Sequence, residues 1–384
     1  MLYPWLDWHR AGLEAWLAAA RLAASGTPLG PLLDPSHELI ARTLAAAAVA
    51  PRPVEAAVAR DAPFPVDAEE ILRTPFLRLV RLRGPATGRR FVMLAPHSGY
   101  ATAIISPLLT ALVSLGEVVV TDWTDGRLVP PAAGRFGLAN QIATAIEAAA
   151  AHDAPAHLVA LSQSGPAVLA AASILAAGPE RLRPASLAFL GCQLAPEIAP
   201  TPLQQALAGW PQDALARLLT AEVTIGRPGA GRRVYPALFQ LLAYSLASPG
   251  LYGEIQLGLL HEIAAGRSGD YDRQHLDLHS LLDVPAELFL DTLAWATAGR
   301  LGATGMLTLA GQRHDLAPLR ATPVLTVEAS DDGLVGPGQT HAIATVLPAA
   351  AATLDDAQHH ELFTGPGFPS SLPGVLRRFY EPLA

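Results

Sequence analysis

The chain has 384 residues, 51% of them hydrophobic and 16% charged, with a net charge of −8 and one cysteine. That composition supports a sizeable core and is unlike a disordered chain, while the length suits two average domains or one large α/β domain with insertions. The basic residues, all arginines, form no concentrated patch, so no nucleic-acid partner is expected; a single cysteine, Cys192, excludes an internal disulfide framework and a cysteine metal cluster.

The opening stretch "MLYPWLDWHRAGLEAWLAAARLAASG" places Asp7, Arg10 and Glu14 where a secretory signal needs an unbroken apolar core, and its apolar residues recur at helical spacing. An amphipathic helix is expected there, within a helical, proline-punctuated extension over residues 1–80. Residues 91–116 carry no formal charge and are long enough to cross a bilayer. Pro96, Gly99 and Pro107 interrupt them, however, and the first third is strand-like, so they read as buried strand, turn and helix with no transmembrane segment.

From there the pattern is regular. Strands are expected at "RFVMLA" (90–95), "EVVVTDW" (117–123), "AHLVAL" (156–161), "ASLAFLG" (185–191) and "TPVLTVEAS" (322–330). Helices are expected between them, one ending near 115, one over 137–151, one after 165 and one around 339–346. Short, continuously apolar strands alternating with helices imply a mostly parallel, doubly wound α/β sheet covered on both faces. Over 197–285 helical segments dominate, broken by "TIGRPGAGRR" and "LASPGLYG". An insertion there would sit over the carboxyl edge of the sheet, where ligands bind in open α/β folds. The expected organisation is therefore an extension (1–80), a core (81–196 and 286–384) and a helical cap or lid (197–285).

"ALSQSG" (160–165) joins an apolar strand to a helix and offers two serines. A nucleophile elbow holds its residue at positive φ in a tight turn, so the positions two before and two after must be small. Centred on Ser162 these are Ala160 and Ser164; centred on Ser164 they are Ser162 and Pro166, and Pro166 suits a helix first turn better. Ser162 is the better nucleophile, the alternative being that both serines only cap the helix. A serine needs a base and a group that orients it. Downstream, "VEASDDGLVG" supplies Asp331 and Asp332, and "DDAQHHELFTG" supplies His359 and His360, in the order Ser, Asp, His of α/β-hydrolases. Cys192, after an apolar strand, reads as a small core residue.

Long blocks in order across the chain resemble the intracellular polyhydroxyalkanoate (polyhydroxybutyrate) depolymerase family. They run from the starting "MLY" through "LAPHSGYATAI", "TDWTDGRLVPPAAGRFGL" and "HLVALSQSGPAVLAA" to "RRVYPALFQL", "VPAELFLDT", "LTVEASDDGLVGPGQT" and "HHELFTG". The resemblance implies an α/β-hydrolase fold with a capping insertion, cleaving short-chain polyesters stored in cytoplasmic granules, without metal or organic cofactor. The family's usual nucleophile is a cysteine followed by Gln-Pro; the matching position here is Ser162, with Gln163 retained and Ser164 where proline is common. Its acid falls on Asp332 and its histidine on His359. Its usual "APMSGHYAT" is here "APHSGYAT", one residue shorter, with the histidine displaced to His97.

These readings combine into a serine esterase in which Ser162, His359 and Asp332 form the triad. The backbone of Gln163 and of the His97–Ser98 region would face the oxyanion. Tyr100, Trp210, Tyr244 and Tyr252 are expected to contact substrate, and the last three, with Trp5, Trp8, Trp16 and Leu251, to offer an apolar surface to a polyester granule. A soluble esterase or oligomer hydrolase with the same triad, a polyester synthase and a non-catalytic granule protein remain as alternatives. Chain-length preference, endo or exo cleavage and a homo-oligomer are left open.

Overall fold

The computed structural model describes residues 2–24, 27, 30–46, 52–98, 101–302, 304–365 and 368–383. Eight strands form the main sheet: β1 (Asp67–Arg73), β2 (Leu77–Arg83), β3 (Arg90–Leu94), β4 (Glu117–Trp123), β5 (His157–Leu161), β6 (Ser186–Leu190), β7 (Val324–Ala329) and β8 (Ala349–Leu354). Their spatial order is β1-β2-β4-β3-β5-β6-β7-β8. The pair β1 and β2 is antiparallel, as is β2 with β4; every other neighbour is parallel. Every residue of β5 and β6 is buried, which is the expected burial for central strands with helices on both faces. The apolar stretch after Arg90 is β3, a short 3-10 turn (Thr102–Ile105) and the helix Ser106–Val113. No helix among the described residues is long and apolar enough to cross a membrane.

The extension expected over 1–80 is helical only in its first part. Helices Leu2–Ala24, Gly30–Ala46 and Val54–Asp61 are followed by β1 and most of β2, which belong to the sheet. The charges of "DAEEILR" mask β1 as a strand, yet they are what an open sheet edge carries to discourage further pairing. There Arg83 pairs with Glu69 at 2.8 Å and Arg73 with Glu70 at 2.6 Å. The alanine-rich β8 reads as helix former by propensity; its register beside β7 overrides that preference. Conversely, the helix expected around 339–346 is a 3-10 segment, His341–Thr345.

Residues 197–285 contain five helices: Pro202–Ala208, Gln212–Leu219, Ala237–Ala247, Pro249–Ala264 and Asp270–His279. They also contain a small antiparallel ribbon, Ala221–Glu222, Arg233–Tyr235 and Val284–Pro285. The helix Gly30–Ala46 rests on this region: Arg42 pairs with Asp272 at 2.8 Å, and Thr43 Oγ1 lies 3.3 Å from His275 Nε2.

Burial holds several histidines neutral. It pushes His97 and His360 down to about 3, and His157 and His275 down to about 4. Between about pH 6.5 and about pH 4 the unfolded chain binds protons at these rings that the folded chain refuses, so acid favours unfolding. Stability should be level above about pH 6.5 and fall steadily toward pH 4 in urea titrations. A flat profile across that window would contradict the buried neutral histidines.

Candidate active site

β5 ends at Leu161, and the chain turns sharply through Ser162 into the helix Gly165–Ala176. Ser162 has φ 54°, in the left-handed region that L side chains seldom occupy. The two serines now separate. Ser164 is fully buried; its Oγ donates to Leu161 O at 3.0 Å and accepts from Leu161 N–H at 3.1 Å, closing the turn. A Cβ on Gly165 would come within 2.5 Å of Cys192 Cβ, so only glycine lets the helix start this close to the chain after β6. Cys192 is a buried packing residue beneath the turn, and burial pushes its thiol up.

Ser162 Oγ lies 2.9 Å from His359 Nε2, and His359 Nδ1 lies 2.6 Å from Asp332 Oδ2. A carboxylate only accepts, so Nδ1 carries the proton and Nε2 presents its lone pair to the serine hydroxyl. The other oxygen of Asp332 accepts from the N–H groups of Leu334 and Val335, each at 2.8 Å, which fixes the carboxylate plane. Within each pair the neighbour is placed elsewhere. The Asp331 side chain is exposed, while His360 is buried against the rings of Tyr244, Tyr252 and Phe363. Gly191, at φ 52° after β6, leaves room for Leu362 and the His359 ring: a Cβ there would run into Leu362 Cδ1 and sit 3.2 Å from His359 Cε1.

The loop after β3 is tied to the turn through Gln163. Its Oε1 accepts from His97 N–H and from Gln141 Nε2, both at 3.1 Å. Its Nε2 donates to Gln141 Oε1 at 3.1 Å and to Thr292 Oγ1 at 3.0 Å. The backbone N–H of His97, expected to face the oxyanion, is therefore occupied by the Gln163 side chain, and Ser98 is the residue of that pair left for the role. The His97 ring stacks on Trp123 with centroids 4.5 Å apart. Gln141 and Thr292 have no motif that marks them; polar residues on otherwise apolar helix faces were the only available signal.

Ser162, Gln163, His97 and Ser98 line one wall of a cavity of about 510 Å3, and cap residues such as Leu218, Phe239 and Tyr244 line the other. Tyr244 lines the cavity; its hydroxyl donates to Ser98 O at 2.6 Å, and burial pushes it up to about 12. Trp210 and Tyr252 do not line the cavity: Trp210 is on the surface at 55% exposure, and Tyr252 is packed at 7% beneath His360. Trp16 is exposed and Leu251 half-buried. Tyr100 and the side chains of Trp5 and Trp8 lie outside the described residues.

This sheet order, with a positive-φ serine after β5 at the carboxyl edge, defines an α/β-hydrolase. Residues 191–381 match the family model described as the PHB de-polymerase C-terminus, so this half of the chain belongs to the polyhydroxybutyrate depolymerase family. Among solved structures, a hydrolase from Pseudomonas aeruginosa PA01 is similar at 15% identity and a TM-score of 0.50, over 82% of this chain and 98% of that one. The 2-hydroxy-6-oxo-6-phenylhexa-2,4-dienoate hydrolase of Rhodococcus sp. strain RHA1 is similar at 16% identity and a TM-score of 0.45, over 83% and 100%. At such identities the likeness concerns the fold. Comparison with curated proteins gives no match.

Gln163→Leu keeps the side-chain volume but removes the ties among the turn, the His97 loop and two helices. It should lower kcat/KM on a small activated ester by about 10–100-fold, in the range of a lost oxyanion contact or supporting hydrogen bond. Undiminished turnover would show that these ties do not hold the site.

Proposed function

We propose that the protein is a serine hydrolase cleaving ester bonds of short-chain polyhydroxyalkanoate through an acyl-enzyme on Ser162. The observation that carries this reading is the hydrogen-bonded series Ser162, His359, Asp332 at the edge of an apolar cavity. Ser162 Oγ attacks the ester carbonyl while His359 Nε2 takes its proton, and Asp332 holds the resulting imidazolium. The alkoxide leaves with that proton, and water, activated by His359, releases the acyl group as a hydroxyacid or short oligomer. Backbone N–H groups of Gln163 and Ser98 face the developing oxyanion, where losing one donor typically costs about 3 kcal/mol of barrier.

The approach to an insoluble polymer runs through the cap. Leu203, Leu218, Leu242 and Leu246 each line the cavity and are also exposed, Leu246 at 73%. Leucines left in water around a cavity mouth are typical of a surface that meets an apolar partner, and an amorphous polyester granule in the cytoplasm is such a partner.

Ser162→Ala, Asp332→Asn and His359→Ala should each lower release of hydroxyacid from amorphous polyhydroxybutyrate by about 10³-fold or more, whereas Asp331→Asn should stay within a few-fold. Asp331→Asn as damaging as Asp332→Asn would reassign the acid. His360→Ala should show mainly as lost stability, about 2–5 kcal/mol for an emptied core site.

The exposed pair Trp210 and Leu238 lies outside the cavity lining. Trp210→Ser with Leu238→Ser should reduce granule binding and polymer hydrolysis severalfold with little change on a soluble ester. Equal loss on both substrates would remove the adsorption role.

A further inference from the structure

The cavity beside Ser162 is lined without charge. Among the described residues that line it there is no Asp, Glu, Lys or Arg, and burial holds the His97 ring neutral. The cap helices Pro202–Ala208 and Ala237–Ala247 carry no charged side chain, and the helix Ala286–Ala298 carries only Glu287 and Asp291, both acidic. Two arginines adjoin lining residues in sequence without lining the cavity themselves. Arg217 pairs with Asp213 at 2.7 Å, and Arg233 donates to Thr220 Oγ1 at 2.7 Å.

Several polar side chains of the lining direct their hydrogen bonds into the protein. Besides the ties of Gln163 and Tyr244, Gln204 Oε1 accepts from Thr201 N–H at 2.7 Å and from Gln339 Nε2 at 3.0 Å. Gln193 Nε2 donates to Leu334 O at 3.0 Å, and Thr297 Oγ1 donates to Leu293 O at 2.8 Å. Much of the remaining lining is aliphatic or aromatic, including Leu207, Leu219, Leu242, Phe239 and Phe289. At about 510 Å3 the cavity falls in the range of about 300–1,000 Å3 that encloses a drug-sized ligand, more than a butanoyl group fills.

We propose that this cavity holds the acyl side of the ester as an uncharged aliphatic chain of octanoyl length or more, and that it rejects an acyl chain ending in a carboxylate. The proposal rests on the ester-hydrolase reading above and adds to it the chain that the site selects. The acyl group stays on Ser162 between the two half-reactions while the alcohol departs, so it is the group that a walled cavity beside Ser162 has to hold. Each methylene buried against the leucines strengthens binding roughly fourfold. An ionised carboxylate taken out of water with no cation to meet it is strongly disfavoured. The interior of a polyhydroxyalkanoate chain is uncharged, whereas each free hydroxyacid released from it is an anion, so one lining favours polymer and expels product.

The test uses four esters with the same 4-nitrophenyl leaving group: the butanoate, the octanoate, the octanedioate half ester and the methyl ester of that half ester. At about pH 8 the half ester ends in a carboxylate and its methyl ester is neutral. Wild-type enzyme should turn over the octanoate with a kcat/KM at least about tenfold above the butanoate. It should turn over the methyl ester at least about tenfold faster than the half ester. Leu242 lines the cavity and is 57% exposed, so Leu242→Arg places a cation at the lining without burying it and should narrow the second ratio. Equal rates for the half ester and its methyl ester with wild-type enzyme overturn the proposal, as does a butanoate rate equal to or above that of the octanoate. These comparisons decide even where Leu242→Arg does not fold; a folded Leu242→Arg protein with the second ratio unchanged overturns it too. If all four esters are cleaved alike, only the selection by the cavity falls; if none is cleaved, the hydrolase reading falls with it.

Discussion

The site depends on one strained turn. Ser162 sits at φ 54°, a conformation that costs an L residue about 1–2 kcal/mol relative to the right-handed region. Two sets of hydrogen bonds hold it. Ser164 closes the turn onto Leu161 from within, and Gln163 anchors it to Gln141, Thr292 and the His97 loop from outside. The strain lifts the hydroxyl clear of the strand end and onto His359 Nε2. Glycines at 165 and 191 remove the side chains that would block the helix below and the imidazole beside it.

The rest of the molecule converts that turn into an enclosed site. The parallel strands β5, β7 and β8 deliver Ser162, Asp332 and His359 from three different places in the sequence to one carboxyl edge, as open α/β sheets do with their ligands. The cap is not a loose cover. Tyr244 reaches the backbone of Ser98, and a Cβ on Gly333, next to Asp332, would lie 2.3 Å from Ala247 O at the end of the same cap helix. Movement of Ala237–Ala247 would therefore be felt at both the loop after β3 and the loop that carries Asp332. The helix Gly30–Ala46 braces the cap from behind through Arg42 and Thr43.

Much of this was legible in the amino-acid order, for a local reason. β3 to β7 are short apolar runs bounded by turns, and the small residues at 160 and 164 are a steric condition on the elbow itself. The local sequence alone therefore favours Ser162 over Ser164. The edge strands were not legible: β1 is dense in charge because it faces water, and β8 is alanine-rich because its place is set by β7. The choice of Asp332 over Asp331 and of His359 over His360 came from family register, since adjacent like residues carry no local distinction. Their partners separate them in the fold: Asp332 and His359 bond to each other, while Asp331 is exposed and His360 packs against the rings of Tyr244, Tyr252 and Phe363. The Gln163 network, the displacement of Trp210 and Tyr252 from the cavity and the uncharged cavity lining depend on contacts between segments far apart in sequence, which no single stretch encodes.

The central claim is that the turn makes Ser162, and not the serine two positions on or the cysteine beneath it, the reactive nucleophile. Covalent labelling with a fluorophosphonate, followed by peptide mass mapping, tests it most directly. The account predicts one adduct on Ser162, lost in His359→Ala and kept in Ser164→Ala. An adduct on Ser164 or Cys192, or labelling of Ser162 undiminished without His359, would contradict it.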